Sequence, residues 1–404
     1  MSMSDNKLIL ELSNYISLED LGSEYDFRAF NGNRFWKKDN SMYNKYFYDL
    51  YHDHKCKELK ISQKKLEEIV ISDFFDLLTN SDHNHILEDE IKNIPIAQVH
   101  VLLPIYNIQI TIEKVKIGDY NLIQFQKLGD YIRNNGFILS EIYINDFSND
   151  VYFYNIPFAE ITVDARDNEF ALETAKQKLQ LFICFINYCL FSDIRGTEVA
   201  SNYTNTGNRD RHYMVSSTSF SSSMSANHIG VKRPDVSDFY DYIVDDKNGY
   251  SRLIEIIQKD VLDNELEKRI SNAINWIGLS IAENNNAIAL TQSTLAVESL
   301  LQSQISGEPI SKSIVASISE TVAFLLGDSF DSRKDWEKRF KIIYGLRSKV
   351  AHGKSNDISP YQVLEAIEIA KSVVTQILTN PEIKSAKTIQ MINNYIEKMR
   401  YTYT

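Results

Sequence analysis

The chain has 404 residues, of which 43% are hydrophobic and 24% are charged, and its formal net charge is −12. This composition excludes a wholly disordered polymer, and the length is sufficient for two domains with buried cores. The three cysteines, Cys56, Cys184 and Cys189, form neither a repeated metal-ligand spacing nor an even-numbered set. They exclude a disulfide-stapled secreted scaffold and favour a reducing, cytoplasmic environment.

No stretch of the sequence is typical of secretion or membrane insertion. The first residues, MSMSDNKLILEL, lack a basic segment followed by a long apolar run, so we expect no secretory signal. The most lipid-like stretch, Leu179 to Phe191, is shorter than the roughly 20 residues that a spanning helix needs, and it contains Gln180 and Asn187. We therefore expect a buried helix there and no membrane partner.

The N-terminal part of the chain predicts an α+β domain over residues 1–245. Residues 1 to about 60 are rich in aromatic side chains but have no clear period, so no fold is predicted for them. Residues 62–78 have the apolar spacing of an amphipathic helix. Residues 108–112 alternate as in a strand, and Gly118-Asp119 is typical of a hairpin turn.

A further extended run and a long helix complete this region. Residues 151–163 read as a strand, and Asp167 is a suitable N-cap for a helix over about 168–191. Residues 201–227 are rich in Ser, Thr and Asn, which predicts a flexible linker or an exposed loop. We place the domain boundary near residue 245.

From there to the end of the chain, the sequence predicts only helices. Short connections between helices of similar length favour an all-α antiparallel helical bundle over residues 246–404. Asn380-Pro381 ends the helix predicted over about 360–379, because proline disfavours helical backbone in the residue before it. The predicted helices span about 251–282, 287–304, 311–326, 332–352, 360–379 and 385–400.

The excess of negative charge lies in the first part of the chain, before Tyr250. From Tyr250 onward 18 basic residues balance 18 acidic ones. Between Asp331 and Lys354 eight basic residues accompany only three acidic ones, which gives a local basic excess. This excess fits either a phosphate-binding surface or a solvated helix face.

The stretch from Asp331 to Lys354, DSRKDWEKRFKIIYGLRSKVAHGK, predicts one amphipathic helix. Trp336, Phe340, Ile343 and Tyr344 recur at helical spacing, so they mark the side that packs inward.

Arg347 and His352 follow at the end of this helix, five residues apart. A guanidinium can grip a phosphate at two points, and an imidazole can move a proton near neutral pH. The spacing alone also fits a surface arginine and a histidine beside a helix-ending Gly353. On a regular helix, five residues rotate about 500°, which leaves the two side chains about 140° apart. We therefore expect either a distortion near Gly353 or completion of the site by a second copy of the motif.

The segment YGLRSKVAHG, from Tyr344 to Gly353, resembles the signature of the Apea-like branch of the HEPN superfamily. The resemblance continues upstream in AVESLL at residues 296–301 and in VAFLL at residues 322–326. It covers roughly residues 250–379. Several helices match in the right order, which makes the resemblance specific.

This resemblance implies a metal-independent endoribonuclease, of the kind used as a bacterial anti-phage defence or toxin-type effector. It implies RNA as the substrate and a homodimer through the HEPN-like domain, with two motifs lining one cleft. The N-terminal domain is then a sensor or regulator that responds to an unknown trigger or regulatory protein. No cofactor and no metal are expected.

The residues themselves can perform this chemistry. RNA carries its own nucleophile, the 2′-hydroxyl, so cleavage needs a base, an acid and positive charge at the phosphate. His352 suits either proton-transfer role, and Arg347 suits the third. We expect 2′,3′-cyclic phosphate and 5′-hydroxyl ends, and no cleavage of DNA.

Four other residues are candidates for supporting roles. Glu298 lies in an apolar run, where a carboxylate is costly unless it is paired, and an ion pair with Arg347 would fix the guanidinium. A salt bridge elsewhere or simple exposure are the alternatives. Tyr344, Ser348 and Lys349 belong to the motif. Ser348 stands where other HEPN branches often carry Asn, Asp or His, so its role stays open.

Two other functions fit the same residues. One is a non-catalytic HEPN protein that binds RNA or another protein and uses its helices for dimerisation. The other is a nucleotide-binding sensor in which Arg347 grips a ligand phosphate. His52, His54 and Cys56 alternate as in a metal-binding strand, but no second cluster accompanies them, and no metal site is predicted.

Overall fold

The computed structural model describes most of the chain: residues 9, 11–19, 21, 26–30, 33–79, 87–137, 156–190, 211–215, 220–224, 236–237, 246–302, 314–353 and 357–402. An N-terminal region with helices and two antiparallel sheets precedes an all-helical C-terminal region. The predicted fold class is therefore confirmed.

The first sheet has three strands in the order β1-β3-β2, and two helices pack near it around a shared apolar core. Aromatic Phe35, Tyr43 and Phe47 are almost fully buried in this core. The helix predicted over residues 62–78 is present. The elements are β1 (Ile16–Ser17), β2 (Phe27–Phe30), β3 (Asn33–Lys37), α1 (Asn40–Asp53), α2 (Gln63–Thr79) and α3 (Leu87–Asn93).

The second sheet has six strands in the order β5-β6-β7-β4-β8-β9. The predicted hairpin turn is confirmed, since Ile117 pairs with Tyr120 and Gly118 has a φ of +58°. The strands are β4 (Ala97–Pro104), β5 (Lys114–Ile117), β6 (Tyr120–Gln124), β7 (Pro157–Ala165), β8 (Arg211–Val215) and β9 (Phe220–Met224), and a short helix α4 (Leu128–Asn134) follows β6.

The strand predicted over residues 108–112 is wrong. Ile108 and Ile110 are buried, but residues 108–112 contain no strand, and Gln109 forms only an isolated β-bridge. The Gln109 carbonyl accepts from the Val236 amide at 3.0 Å, and the Ile110 carbonyl accepts from the Gln124 side chain at 3.0 Å. The alternation predicted the burial of Ile108 and Ile110 correctly but not that of Ile112, which is 50% exposed, and it did not predict the backbone conformation.

The polar stretch 201–227 also differs from its prediction. Two of its segments are strands of the second sheet, Arg211–Val215 and Phe220–Met224, so it is not a linker throughout. The rest of the stretch lies outside the described residues, as do residues 151–155 of the predicted extended run.

The long helix α5 (Asn168–Leu190) matches its prediction. Asp167 accepts a hydrogen bond from the Phe170 amide at 3.0 Å, as expected of an N-cap. The second half of α5 is buried nearly all round, with Phe182, Phe185 and Ile186 fully buried.

The all-helical region contains seven described helices, and α10 and α11 carry clear capping signals. The Ser329 hydroxyl accepts from the Ser332 amide at 3.2 Å, and Ser359 and Gln362 form a reciprocal capping box. The helices are α6 (Tyr250–Ile257), α7 (Glu265–Ala282), α8 (Asn286–Leu301), α9 (Ile314–Leu326), α10 (Phe330–Ala351), α11 (Pro360–Thr379) and α12 (Ile389–Thr402).

The single helix predicted over residues 251–282 is two helices. The chain leaves the helical conformation after Gln258, and the Asn264 side chain starts the second helix by accepting from the Glu267 amide at 3.0 Å. The other predicted helices begin and end within about four residues of their predicted bounds, as is usual for helix termini read from sequence. Residues 311–313 lie outside the described part.

The helices of this region pack in consecutive pairs. α7 packs against α8 and α9 against α10, each across a three-residue connection that makes the pair antiparallel. α8 also packs against α11 and α10, so α8 brings Glu298 towards α10. Among the described residues, no helix is long and apolar enough to cross a bilayer.

The chain forms two compact units that are not contiguous in sequence. The boundary predicted near residue 245 stays a prediction. The first unit comprises Met1–Val101, Thr162–Ala175 and Met214–Ser219, and the second comprises Leu102–Ile161, Lys176–Tyr213 and Phe220–Thr404.

Candidate functional site

The end of α10 sets the positions of Arg347 and His352. The helix stays regular to its last residue, because the His352 amide donates to the Ser348 carbonyl at 3.1 Å. Gly353 then adopts a φ of +66°, the left-handed conformation that ends many helices. The distortion considered near Gly353 thus comes only after His352, and the two side chains keep the separation of a regular helix.

Arg347 points into the bundle. One of its terminal nitrogens, Nη2, lies 3.3 Å from Oε2 of Glu298 on α8. The side chains are 26% and 13% exposed, so the pair is sheltered without being sealed from solvent. The ion pair predicted from sequence is therefore present, and it fixes the guanidinium against α8.

Tyr344 completes a small polar group around this pair. The guanidinium carbon of Arg347 lies 5.6 Å from the centre of the Tyr344 ring. Burial, and then the hydrogen bond to Glu298, raise the pKa of Tyr344 to about 12. The centre of its ring lies 6.1 Å from the centre of the Phe340 ring, and this contact anchors Tyr344 to the core. Tyr344 is therefore a neutral hydrogen-bond donor at physiological pH.

The Arg347 guanidinium keeps unused donors. Its Nε atom is buried and has no hydrogen-bond partner among the described residues. A buried donor without an acceptor is costly, and such exceptions in native proteins call for a specific explanation. An anion that enters beside the ion pair is one group that could satisfy it.

His352 lies on the outside of the molecule. Its side chain is exposed immediately after α10 ends, and Lys349 is also exposed. Ser348 is half-buried, and its carbonyl accepts the hydrogen bond from the His352 amide at the end of the helix. Within one copy of the chain, Arg347 faces α8 while His352 faces solvent, so the helix does not bring them together.

Several of the basic residues predicted around the site have structural partners. Arg339 forms an ion pair with Glu365 at 2.8 Å, Lys341 pairs with Glu337, and Arg333 donates to the Gly327 carbonyl at 3.2 Å. Lys354 lies outside the described part.

The exposed side of α10 nevertheless carries uncompensated charge. Lys338 and Lys349 are exposed, and neither has a carboxylate within 4.0 Å among the residues the structure describes. Their charge is available to a polyanion in solution.

The histidine and cysteine pattern near residue 54 does not form the strand considered from sequence. His52 lies in the last turn of α1, against the rings of Tyr48 and Tyr51, and Cys56 is fully buried. In the described part of the chain, no group of three His, Cys, Asp or Glu side chains could hold a metal ion.

The Arg339–Glu365 pair is a feature that sequence reasoning missed. It joins α10 to α11 much as Arg347–Glu298 joins α10 to α8. Glu365 precedes the buried Ala366, so an acidic residue beside an apolar stripe was the available signal.

No protein-family model, no curated protein and no solved structure matches this chain. The likeness to the Apea-like HEPN signature stays a prediction that rests on the motif residues.

Proposed function

We propose that this chain is a metal-independent endoribonuclease whose reactive groups are Arg347 and His352. The observation that carries the proposal is the state of Arg347. Glu298 and Tyr344 hold its guanidinium in place, while its buried Nε has no acceptor among the described residues. A guanidinium that is fixed but not fully bonded is suited to phosphate.

The chemistry follows from these groups. The 2′-hydroxyl of RNA attacks the adjacent phosphorus, and the bond to the 5′-oxygen breaks. An imidazole removes the 2′-hydroxyl proton or protonates the departing oxygen, and Arg347 stabilises the charge on the phosphate. The products are a 2′,3′-cyclic phosphate and a 5′-hydroxyl end, and DNA lacks the required nucleophile.

A second copy of the chain completes the site in this proposal. Arg347 and His352 of one copy lie on different faces of α10. We propose a symmetric homodimer in which His352 of each copy lies near Arg347 of the other; two-fold symmetry then makes the two contacts equivalent.

Glu298 and Tyr344 act as positioning residues. Glu298 takes one terminal nitrogen of Arg347 and leaves the others for a phosphate. Tyr344 donates to Glu298 and does not serve as a base, because its pKa is raised to about 12. In this proposal Ser348 and Lys349 contact a phosphate of the RNA.

The biological setting comes from the motif resemblance. We propose a cytoplasmic effector of bacterial anti-phage defence or of the toxin type. Its N-terminal region would act as a sensor or regulator that responds to a trigger.

A non-catalytic module that binds RNA or protein is the second candidate. The ion pair to Glu298 favours it, because a half-buried arginine with a carboxylate partner also serves stability alone. In that case the exposed lysines of α10 bind RNA, and no bond is broken.

The deciding experiment follows cleavage of labelled RNA in EDTA by wild type, Arg347→Ala and His352→Ala. The matched control is Arg339→Ala, which removes another ion-paired arginine from the same helix. Cleavage by wild type and Arg339→Ala, and its loss in the other two, supports the enzyme. Binding without cleavage in all four proteins favours the module.

A further inference from the structure

The first compact unit contains a cavity of about 300 Å³ that the proposed ribonuclease site does not use. Strands β2 and β3 and helix α2 provide its walls. Phe35 and Ile71 form an apolar surface, Arg28, Lys37 and Lys64 bring three positive charges, and Glu67 and Glu68 bring two negative ones. Its volume is at the lower end of the range of small-molecule sites, which starts at about 300 Å³.

Lys37 is the unusual residue of this cavity. Its side chain is only 7% exposed, and its nearest carboxylate oxygen, Oδ2 of Asp26, is 3.7 Å from Nζ. That distance is too long for a hydrogen bond. The ammonium also lies 4.0 Å from the centre of the Tyr43 ring. Among the described residues, none accepts a hydrogen bond from this buried ammonium, although an ammonium has three donors.

The carboxylates around the cavity already serve other groups. Asp26 accepts a hydrogen bond from Arg28 at 3.0 Å, Glu67 accepts one from the Tyr43 hydroxyl at 2.6 Å, and Glu68 pairs with Lys65 at 2.9 Å. Among the described residues, Lys37 has only the 3.7 Å ion pair with Asp26, and none of these carboxylates accepts a hydrogen bond from its ammonium. Lys37 Nζ is not among the fully buried polar atoms that lack a partner, so it reaches the cavity, and its acceptors come from water or from a ligand there.

We propose that this cavity binds a small organic anion. Its carboxylate or phosphate group accepts hydrogen bonds from Lys37 at the floor and meets Arg28 and Lys64 at the mouth, where those two side chains are 55% and 68% exposed. Its apolar body lies against Phe35 and Ile71. The anion satisfies the buried donors, and the apolar wall selects against a bare inorganic ion.

This proposal is independent of ribonuclease activity. The cavity and the Arg347 site share no residue, and binding is measured without RNA. A ligand of this class would also give the N-terminal region the regulatory input predicted from sequence.

The test is calorimetric titration of the full chain with sodium butyrate, phenyl phosphate, inorganic phosphate and n-butylamine at millimolar concentrations. Butylamine has the same number of carbon atoms as butyrate but the opposite charge. We expect one site per chain for butyrate or phenyl phosphate, weaker binding of inorganic phosphate and none of butylamine. If phenyl phosphate binds more tightly than butyrate, the anionic group of the ligand is a phosphate ester. If butyrate binds more tightly, that group is a carboxylate.

Lys37→Met is the decisive variant, because methionine keeps the unbranched chain and removes the charge. We expect it to weaken binding at least about tenfold. Lys45→Met is the control, since Lys45 is an exposed lysine of α1 that pairs with Asp49 outside the cavity. Equal affinity in wild type and Lys37→Met, equal binding of butylamine, or no binding of any anion would overturn the proposal and leave a water-filled cavity.

A second measurement on the wild type guards against a misfolded variant. The Ile71 methyl resonance, assigned through Ile71→Val, should shift and saturate with the anion. The methyl group of Ile91, buried in the same unit but not in the cavity wall, should not move. Shifts at Ile91 without shifts at Ile71 would contradict the site.

Discussion

Glu298 and Arg347 form an ion pair, with Nη2 and Oε2 3.3 Å apart, that joins two helices across a separation of 49 residues in sequence. This pair is the structural centre of the candidate site, because it decides where the guanidinium points. The Arg339–Glu365 pair provides an internal comparison on the same helix, at 2.8 Å.

Glu298→Gln should separate positioning from stability. The amide keeps the shape but loses the charge, so we expect RNA cleavage to fall by about tenfold or more and the free energy of unfolding to fall by about 1–2 kcal/mol. Glu365→Gln should cost similar stability and leave cleavage unchanged. Urea unfolding and cleavage rates provide the two measurements. Equal loss of cleavage in both variants would mean that Glu298 acts only through stability.

Mixing two inactive variants should restore activity. If the site combines Arg347 of one copy with His352 of another, a heterodimer of Arg347→Ala and His352→Ala contains one intact site. With random exchange of subunits, about one quarter of the wild-type cleavage should return. Sedimentation at micromolar concentration should show a dimer. A monomer, or a mixture without activity, would contradict the shared site.

The exposed lysines of α10 should govern RNA affinity. Lys338→Ala and Lys349→Ala should each weaken binding to single-stranded RNA regardless of sequence, and each should reduce the slope of log K against log salt concentration by about 0.7. Lys341→Ala is the control, because Lys341 already pairs with Glu337. Filter binding over a salt series measures the slopes. Identical slopes in all four proteins would remove α10 from the RNA-binding surface.

Two glycines of the α10 region should respond to alanine in opposite directions. An added Cβ at Gly345 or at Gly353 meets no atom of the described residues within 4 Å, so the expected effects are those of the backbone. Gly345→Ala should stabilise the helix interior by about 0.5–1 kcal/mol. Gly353→Ala should destabilise by about 1–2 kcal/mol, because its φ of +66° disfavours a side chain. Urea unfolding measures both, and a shared sign would contradict this account of the helix end.

The pKa of Tyr344 makes a prediction about alkaline stability. Its folded pKa is raised from the ordinary 10 to about 12, so the folded state holds this proton more tightly than the unfolded state. The resulting stability is fully present below pH 10 and is lost as the pH rises towards 12. The difference in unfolding free energy between wild type and Tyr344→Phe should therefore stay constant from pH 7 to 9. Above pH 10 it should shift against wild type. A constant difference up to pH 12 would mean that burial and Glu298 do not raise the pKa of Tyr344 in the folded state.

Much of the helical region could be read from sequence because its signals are local. The inward side of α10 was marked by Phe340 and Ile343, which are both 1% exposed, and the helix end was marked by Gly353. These features depend on neighbours within one or two turns, which periodicity and capping residues report directly.

One error came from a segment whose conformation depends on partners outside the segment. Residues 108–112 alternate like a strand, yet their carbonyls bond to Val236 and Gln124, far away in sequence. The other error was a missed local signal: the continuous apolar pattern concealed the cap at Asn264, which starts a second helix after the break at Gln258.

The sequence by itself determined the fold class, the helix that carries the motif, and the opposition of Arg347 and His352 around that helix, since each follows from backbone periodicity. Only the tertiary structure decided that Arg347 bonds to Glu298 while its Nε has no acceptor among the described residues. It also decided that the Lys37 side chain is 7% exposed at a cavity and donates no hydrogen bond to the described residues. Burial and pairing of charges depend on which distant segments pack together, and no local pattern encodes that choice.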